Sequence, residues 1–151
     1  MRLTRQDKIT VALTIALVAA YIAFRLMGGG FAAVDGRSME PLLHTGDLVI
    51  LVKRDPSNIN VGDIIVYKSG AKFVIHRVIH KYEVEGRYCF VTKGDNNWSP
   101  DMGDPRKCPP SPAMFGVAGH PEENIVGVVL SVNKAPIKIP YIGGITLILR
   151  S

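Results

Sequence analysis

The stretch IIVYKSGAKFVIHRVIH, residues 64–80, carries the clearest structural signal in the chain. Two runs rich in β-branched and aromatic residues flank Ser69-Gly70, a pair that is typical of tight turns. The stretch therefore predicts a β-hairpin, with strands over residues 64–68 and 73–80.

Similar short runs occur on both sides of the hairpin, over residues 48–53, 87–93 and 125–132. Turn-forming residues separate them, and none of these runs shows the 3.6-residue period of a helix. The body of the chain is therefore predicted to be mainly β, with the strands in a partly open barrel. Residues 94–124, which include six prolines, are predicted to form a long loop region.

An uncharged apolar segment over residues 9–24 precedes this body and follows three basic residues. As a helix it would be about 24 Å long, slightly short for a bilayer core of about 30 Å. The side chain of Arg25 can reach the interface by snorkelling, which lengthens the usable span. We therefore predict a transmembrane anchor over residues 9–27.

The basic cluster before the anchor predicts a cytoplasmic N-terminus over residues 1–8, because positive residues stay on the inner side. Residues 28–151 would then form an extracytoplasmic domain, joined to the anchor by a flexible segment at residues 28–30. A cleavable signal peptide, cut near Ala32-Ala33, is the alternative interpretation.

The composition limits the possible functions of the 151-residue chain. Hydrophobic residues make up 47% and charged residues 21%, which excludes a disordered chain and a protein with many membrane spans. The net charge is +5, but the basic residues are scattered and do not alternate with aromatic ones. We therefore expect a lipid bilayer as a partner and no nucleic acid.

The two cysteines, Cys89 and Cys108, leave two possibilities open. They could form a disulfide outside the cytoplasm, contributing about 3 kcal/mol in the chain-entropy model, or remain free thiols. A zinc site with the histidines is a further alternative, but the spacing does not favour it, and we expect no cofactor and no metal.

Candidate catalytic residues are scattered, and each is weak evidence alone. Ser38 lies in the turn-like sequence GRSMEP, directly after the apolar N-terminal part. A serine nucleophile needs a base and a group that orients this base. The candidates are these histidines and acids: His44, His76, His80, His120, Asp95, Asp101 and Asp104. Alternation places His76 and His80 on one face of the predicted strand.

The order of four motifs, taken together, resembles type I signal peptidases, in particular their archaeal and endoplasmic-reticulum branch. The motifs are Ser38-Met39-Glu40-Pro41, Gly46-Asp47-Leu48-Val49, His76-Arg77-Val78 and Gly94-Asp95-Asn96-Asn97. The sequence IPYIG at residues 139–143 is also similar to that branch, and the following apolar part is too short to span a membrane.

This resemblance implies a function and a set of roles. Ser38 would be the nucleophile, with its backbone N–H as an oxyanion donor, and His76 the general base where bacterial members have lysine. Asp101 would orient His76, and Asp95 would support the site. A second oxyanion donor is not identified, since Gly36 stands where some bacterial members have a serine.

The resemblance also implies a substrate and a location. The enzyme would cut signal peptides from secreted preproteins after small residues at positions −1 and −3, with Met39 and Leu42 near the substrate pockets. It would be a single-pass protein of the cell membrane, with accessory subunits as possible partners.

Three other classes of protein share some of these sequence features. A self-cleaving repressor peptidase has a similar fold but uses lysine as base and carries a DNA-binding region. An inactive anchored β-domain would bind exported proteins without needing the residues Ser38, His76, Asp95 and Asp101. A zinc-binding module would lose its structure in the presence of chelators.

Overall fold

The computed structural model describes residues 4–114 and 116–141, so the last residues of the IPYIG sequence lie outside it. The N-terminal segment is the helix α1, Arg5–Leu26, with a mean hydropathy of 2.1 and no buried residue. By length and composition α1 can cross a membrane. It begins before the predicted anchor because Thr4 and Asp7 form a capping box that starts the helix there.

The body consists of ten short strands that pair antiparallel throughout. They are β1 (Gly30–Ala33), β2 (Leu48–Val52), β3 (Ile64–Ser69), β4 (Lys72–Val84), β5 (Arg87–Lys93), β6 (His120–Pro121), β7 (Ile125–Val129), β8 (Ser131–Val132), β9 (Ala135–Pro136) and β10 (Lys138–Ile139).

The main sheet has the order β1-β2-β7-β3-β4-β5-β6, and β10 also pairs with β2. Within the described residues β1 and β6 do not pair with each other, so the sheet is not closed into a barrel. The strands β8 and β9 form a separate pair. The predicted mainly β, partly open fold with one N-terminal apolar helix is confirmed.

Two strand boundaries differ from the prediction for local reasons. The strand β4 continues to Val84 because its last residues pair with the start of β5. The run over residues 125–132 is broken at Leu130, whose N–H bonds the carbonyl of Ile50. The following residues turn away to form the small β8–β9 pair.

The segment between α1 and the sheet differs from the flexible joint that was expected. Gly29 is buried against the ring of Phe24, where a Cβ atom would come within 2.3 Å of this ring. Gly28 adopts a positive φ of 78° beside Lys53, and Gly30 already belongs to β1. The rings of Phe24 and Phe31 lie 5.6 Å apart. The helix is therefore packed directly onto the start of the sheet.

The central strand β3 is covered on both faces, which explains its continuous apolar sequence. Ile64 and Val66 belong to one buried cluster with Leu43 and Met39, while Ile65 and Tyr67 belong to a second one. The register pairs Ile65 with His76 of β4. The second cluster therefore lies beneath the histidine that was predicted as the base.

The Pro-rich region over residues 94–124 contains only short elements, among them β6 and a 3-10 turn at Pro112–Met114. A disulfide joins Cys108 in this region to Cys89 of β5, and both cysteines are fully buried. Of the two alternatives for the cysteines, the structure therefore contains the disulfide.

Candidate active site

Ser38 lies in a turn that follows β1 and is held from two sides. The hydroxyl of Thr45 donates to the carbonyl of Gly36 and accepts from its N–H, at 3.0 and 3.1 Å. The backbone N–H of Asn96 donates to the carbonyl of Ser38 at 2.8 Å, and its side-chain amide donates to Arg37. The turn can adopt this shape because Gly36 has a φ of 101°.

The Ser38 hydroxyl meets the imidazole of His76. Its Oγ lies 2.9 Å from Nε2 of His76, and the histidine side chain is only 8% exposed. Ser38 itself is half-buried. The two residues are 38 positions apart in sequence and come together because β4 passes beside the turn.

The other imidazole nitrogen contacts Asp101. Its Nδ1 lies 2.6 Å from Oδ2 of Asp101, which also accepts hydrogen bonds from Thr92 at 2.6 Å and Tyr67 at 2.9 Å. Burial alone would raise the pKa of Asp101, but these hydrogen bonds and the nearby His76 outweigh it. The pKa of Asp101 therefore lies below its usual value, and the carboxylate is ionised at neutral pH.

Asp95 lies in a separate ion pair. Its carboxylate binds Arg77 through two hydrogen bonds, to Nε at 2.8 Å and to Nη2 at 2.7 Å. Arg77 also donates to the carbonyl of Gly62. Asp95 thus contacts the neighbour of His76 in β4 and not His76 itself.

Two other candidates, His80 and Asp104, contact partners other than Ser38. A register shift between Val78 and His80 takes His80 out of step with His76, and His80 contacts Ser111 at 3.3 Å. The predicted common face for the two histidines is therefore wrong, since simple alternation does not hold across a bulge. Asp104 accepts a hydrogen bond from the N–H of Arg106 in its own loop.

Asp47, in the motif Gly46-Asp47-Leu48-Val49, has a structural role. The carboxylate of Asp47 is buried, accepts the N–H of His44 and binds Lys138 of β10 at 2.7 Å. It thereby closes the turn that connects the Ser38 segment to β2.

Met39 and Leu42 differ in their accessibility. Met39 is 1% exposed and packs in the core with Val34 and Leu43, so it anchors the Ser38 turn and offers almost no surface to a ligand. Leu42 is half-buried at the edge of the same cluster. Their predicted contact with substrate stays a prediction for Leu42, and the burial of Met39 gives it no support.

The sequence analysis did not identify two residues around Asp101, Tyr67 and Thr92, although both hydroxyls reach its carboxylate. His120 was named as a possible base, but its buried ring stacks on Tyr67 with the centroids 4.0 Å apart. The only sequence signal was the presence of polar groups in otherwise apolar runs.

A groove of about 770 Å³ runs between β1 and the β3–β4 hairpin. Its walls are formed by Phe31, Ala32 and Ala33 on one side and by Ala71, Lys72 and Phe73 on the other, with Asp35 near one end. In the described part of the chain β1 is the terminal strand of the sheet, so its outer edge can accept another strand.

The backbone N–H of Ser38 bonds no acceptor within residues 4–114 and 116–141, so it can face a reacting carbonyl oxygen. The line from Ser38 through His76 to Asp101 has the arrangement of the triad in Ser–His–Asp hydrolases. Fold and site together therefore show the residue arrangement that serine hydrolases use, here on an open β-sheet.

Sequence comparison narrows this class. Residues 6–81 match the family described as signal peptidase, peptidase S26. The chain belongs to this family.

Several curated relatives are similar to the chain. The signal peptidase complex catalytic subunit SEC11 of Lachancea thermotolerans is 35% identical over 114 residues, covering 73% of this chain and 60% of that protein. The subunit SEC11C of Homo sapiens is 33% identical, and the match covers 75% of this chain and 53% of that protein. The subunit sec11 of Schizosaccharomyces pombe is 29% identical, and the match covers 89% of this chain and 78% of that protein. The chain thus spans about 60% of the length of the first of these relatives.

Proposed function

We propose that the protein is a membrane-anchored serine endopeptidase that removes signal peptides from preproteins. The observation that carries this proposal is the continuous hydrogen-bonded line from Ser38 through His76 to Asp101. Membership of the signal peptidase family and the similarity to SEC11 catalytic subunits of signal peptidase complexes support it.

The chemistry follows from the orientation of the imidazole. With Asp101 ionised, Nδ1 of His76 carries the imidazole proton and donates a hydrogen bond to the carboxylate. Nε2 is therefore free to accept the proton of the Ser38 hydroxyl. The Ser38 oxygen attacks the scissile carbonyl carbon, and the protonated His76 then gives its proton to the leaving amine. Water then attacks the acyl group on Ser38. His76 takes a proton from this water and returns one to the Ser38 oxygen as the acyl group leaves.

The negative charge on the carbonyl oxygen needs a nearby donor. The N–H of Ser38 has no other acceptor in the described residues and is suited to this role. A side-chain donor at position 36 is excluded, since this residue is glycine.

The groove between β1 and the hairpin fits an extended peptide. A substrate strand can pair with the outer edge of β1, and the alanines at residues 32 and 33 leave room near the backbone. We propose that the pockets nearest Ser38 admit only small side chains, at positions −1 and −3, and that Leu42 borders one of them.

The placement in the cell is part of the same proposal. The fully exposed apolar helix α1 suits a single membrane anchor with a cytoplasmic N-terminus. The disulfide between Cys89 and Cys108 suits an oxidising compartment and so supports the proposal of an extracytoplasmic β domain. Because the relatives are named as subunits of a complex, we propose that accessory subunits are possible partners.

The test is cleavage of a model preprotein by the detergent-solubilised full chain. We expect the wild type to cut after a small residue and Ser38→Ala and His76→Ala to be inactive. The control is His80→Ala, which removes a histidine of the same strand that does not contact Ser38. Cleavage that persists in Ser38→Ala would overturn the proposed mechanism.

A further inference from the structure

Three neighbouring strands each direct one hydrogen-bond donor at a single oxygen atom, Oδ2 of Asp101. Tyr67 of β3 donates its hydroxyl at 2.9 Å, His76 of β4 lies at 2.6 Å and Thr92 of β5 donates at 2.6 Å. The N–H of Asp101 also donates to the backbone carbonyl of Thr92 at 2.8 Å. The carboxylate is therefore fixed both in position and in rotation.

We propose that Tyr67 is a positioning residue for the reaction, which together with Thr92 keeps Oδ2 of Asp101 aligned with Nδ1 of His76. This inference rests on the proposed function, because it assigns a task to the environment of Asp101. Within the described residues the Tyr67 hydroxyl forms no hydrogen bond with Ser38 and reaches the base through the carboxylate. The Tyr67 ring also lies 6.5 Å from the His76 ring, measured between centroids, and this contact is kept in a phenylalanine variant.

The surroundings of Tyr67 show why its hydroxyl points at Asp101. The side chain is 2% exposed and packs in the cluster with Ile65 and Val128. A buried hydroxyl needs a hydrogen-bond partner, since leaving it without one destabilises the folded state. Its contact with Asp101 is the only hydrogen bond that this hydroxyl donates in the described residues.

His120 supports the Tyr67 ring from one side. It is 4% exposed, and its Nε2 has no hydrogen-bond partner within the described part of the chain. The two rings stack with their centroids 4.0 Å apart and an interplanar angle of 33°. This contact limits the freedom of the Tyr67 ring and so of its hydroxyl.

The hydroxyl donors also affect how Asp101 interacts with protons. Hydrogen bonds to a carboxylate favour its ionised form, and both hydroxyls lower the pKa of Asp101 against the effect of burial. The titratable groups that face one another here are Tyr67, His76, Asp101 and His120. Loss of either hydroxyl donor would raise the pKa of Asp101, so that the carboxylate would take up a proton at a higher pH.

The test compares Tyr67→Phe with the wild type in the full chain. We expect kcat to fall about tenfold, the loss of one hydrogen bond to a charged group, with KM unchanged. We also expect the acidic limb of the kcat/KM profile to move to higher pH. The isosteric change Thr92→Val should act in the same direction. The control is Tyr88→Phe, because the Tyr88 hydroxyl forms no hydrogen bond within the described residues.

A second background separates positioning from packing. If Tyr67 acts through Asp101, then Tyr67→Phe lowers kcat in the wild type but has no further effect in Asp101→Asn. An equal decrease in both backgrounds, or an unchanged kcat and pH profile in Tyr67→Phe, would overturn the proposal. Full activity of Asp101→Asn would instead refute the role of Asp101 and the inference with it, while Ser38→Ala still tests the peptidase itself. Thermal unfolding shows that each variant is folded.

Discussion

Arg77 and Asp95 form a two-point ion pair directly beside the predicted base, with contacts of 2.8 and 2.7 Å. Arg77 follows His76 in β4, and Asp95 precedes Asn96, whose N–H holds the carbonyl of Ser38. The pair therefore connects the strand of the base to the turn of the nucleophile through the backbone. Asp101, in contrast, contacts the base itself.

Substitutions of Asp101 and of Asp95 should therefore have different effects on activity and stability. Asp101→Asn removes the charge that stabilises the protonated His76 and disturbs its tautomer, so we expect kcat to fall by about 10²–10⁴-fold with a folded protein. Asp95→Asn should lower kcat less and reduce thermal stability more, since Arg77 loses its charged partner. Steady-state kinetics and thermal unfolding of both variants test this order. The reverse ranking would show that the roles are exchanged.

Gly94 should be essential for the position of Ser38. A Cβ atom at this position would come within 2.6 Å of the Ser38 carbonyl oxygen and 2.8 Å of the Asn97 side chain. Gly94→Ala must therefore displace the nucleophile turn, and we expect kcat to fall about 100-fold. The control is Gly30→Ala, where the nearest atom lies 3.9 Å from the added carbon. Equal activity of the two variants would contradict the prediction.

His120 should make the protein less stable in mild acid. Burial lowers the pKa of His120, the nearby Asp101 opposes this change, and the nearby His76 adds to it. The unfolded chain therefore binds a proton below the ordinary value of 6.5, while the folded chain does not. Stability is fully present above pH 6.5 and decreases as the pH falls below it.

Denaturant unfolding at several pH values tests this effect. We expect His120→Phe to weaken the loss of stability between about pH 6.5 and 5, because the phenyl ring cannot take up a proton. The comparison is made within each protein, from pH 7.5 downward, so that a constant packing difference does not matter. An identical pH dependence in both proteins would show that His120 does not cause it.

The disulfide should contribute to stability. It closes a segment with a separation of 19 residues, which corresponds to about 3 kcal/mol in the chain-entropy model. We expect the double variant Cys89→Ser, Cys108→Ser to unfold at a temperature that is roughly 10 °C lower. A reducing agent should lower the unfolding temperature of the wild type by a similar amount and leave that of the variant unchanged. No shift in the wild type would contradict the prediction.

The sequence pattern was sufficient for β2, β3 and β5, and insufficient for the end of β4 and for the very short strands. The strands β2, β3 and β5 have strong β propensity along their whole length, so their bounds were predicted within a residue. In contrast, β1 has the sequence GFAA, which has little intrinsic preference, and it forms because it can pair with β2. The strand β6 has only two residues and likewise depends on its partner.

The site was predictable to a similar extent. Ser38 and His76 were named from the order of motifs, and the structure brings them together. Asp101 was expected beside His76 only because of the family resemblance, since this contact depends on how the loop after β5 returns to the sheet, which no local pattern shows. Tyr67 was missed for the same reason, since a tyrosine in an apolar strand is normally a core residue.

The packed glycine segment after α1 fixes the distance between the end of this helix and Ser38. Only residues 27–29 separate the last residue of α1, Leu26, from β1, and the strand then leads toward Ser38. Each residue of an extended strand advances about 3.3 Å. In a chain anchored by α1, the height of Ser38 above the bilayer is therefore set by the protein itself. For the proposed peptidase, a substrate held in the same bilayer would reach the Ser38 hydroxyl at a fixed number of residues from the lipid. The length of the segment between α1 and Ser38 would then determine which peptide bond is cut.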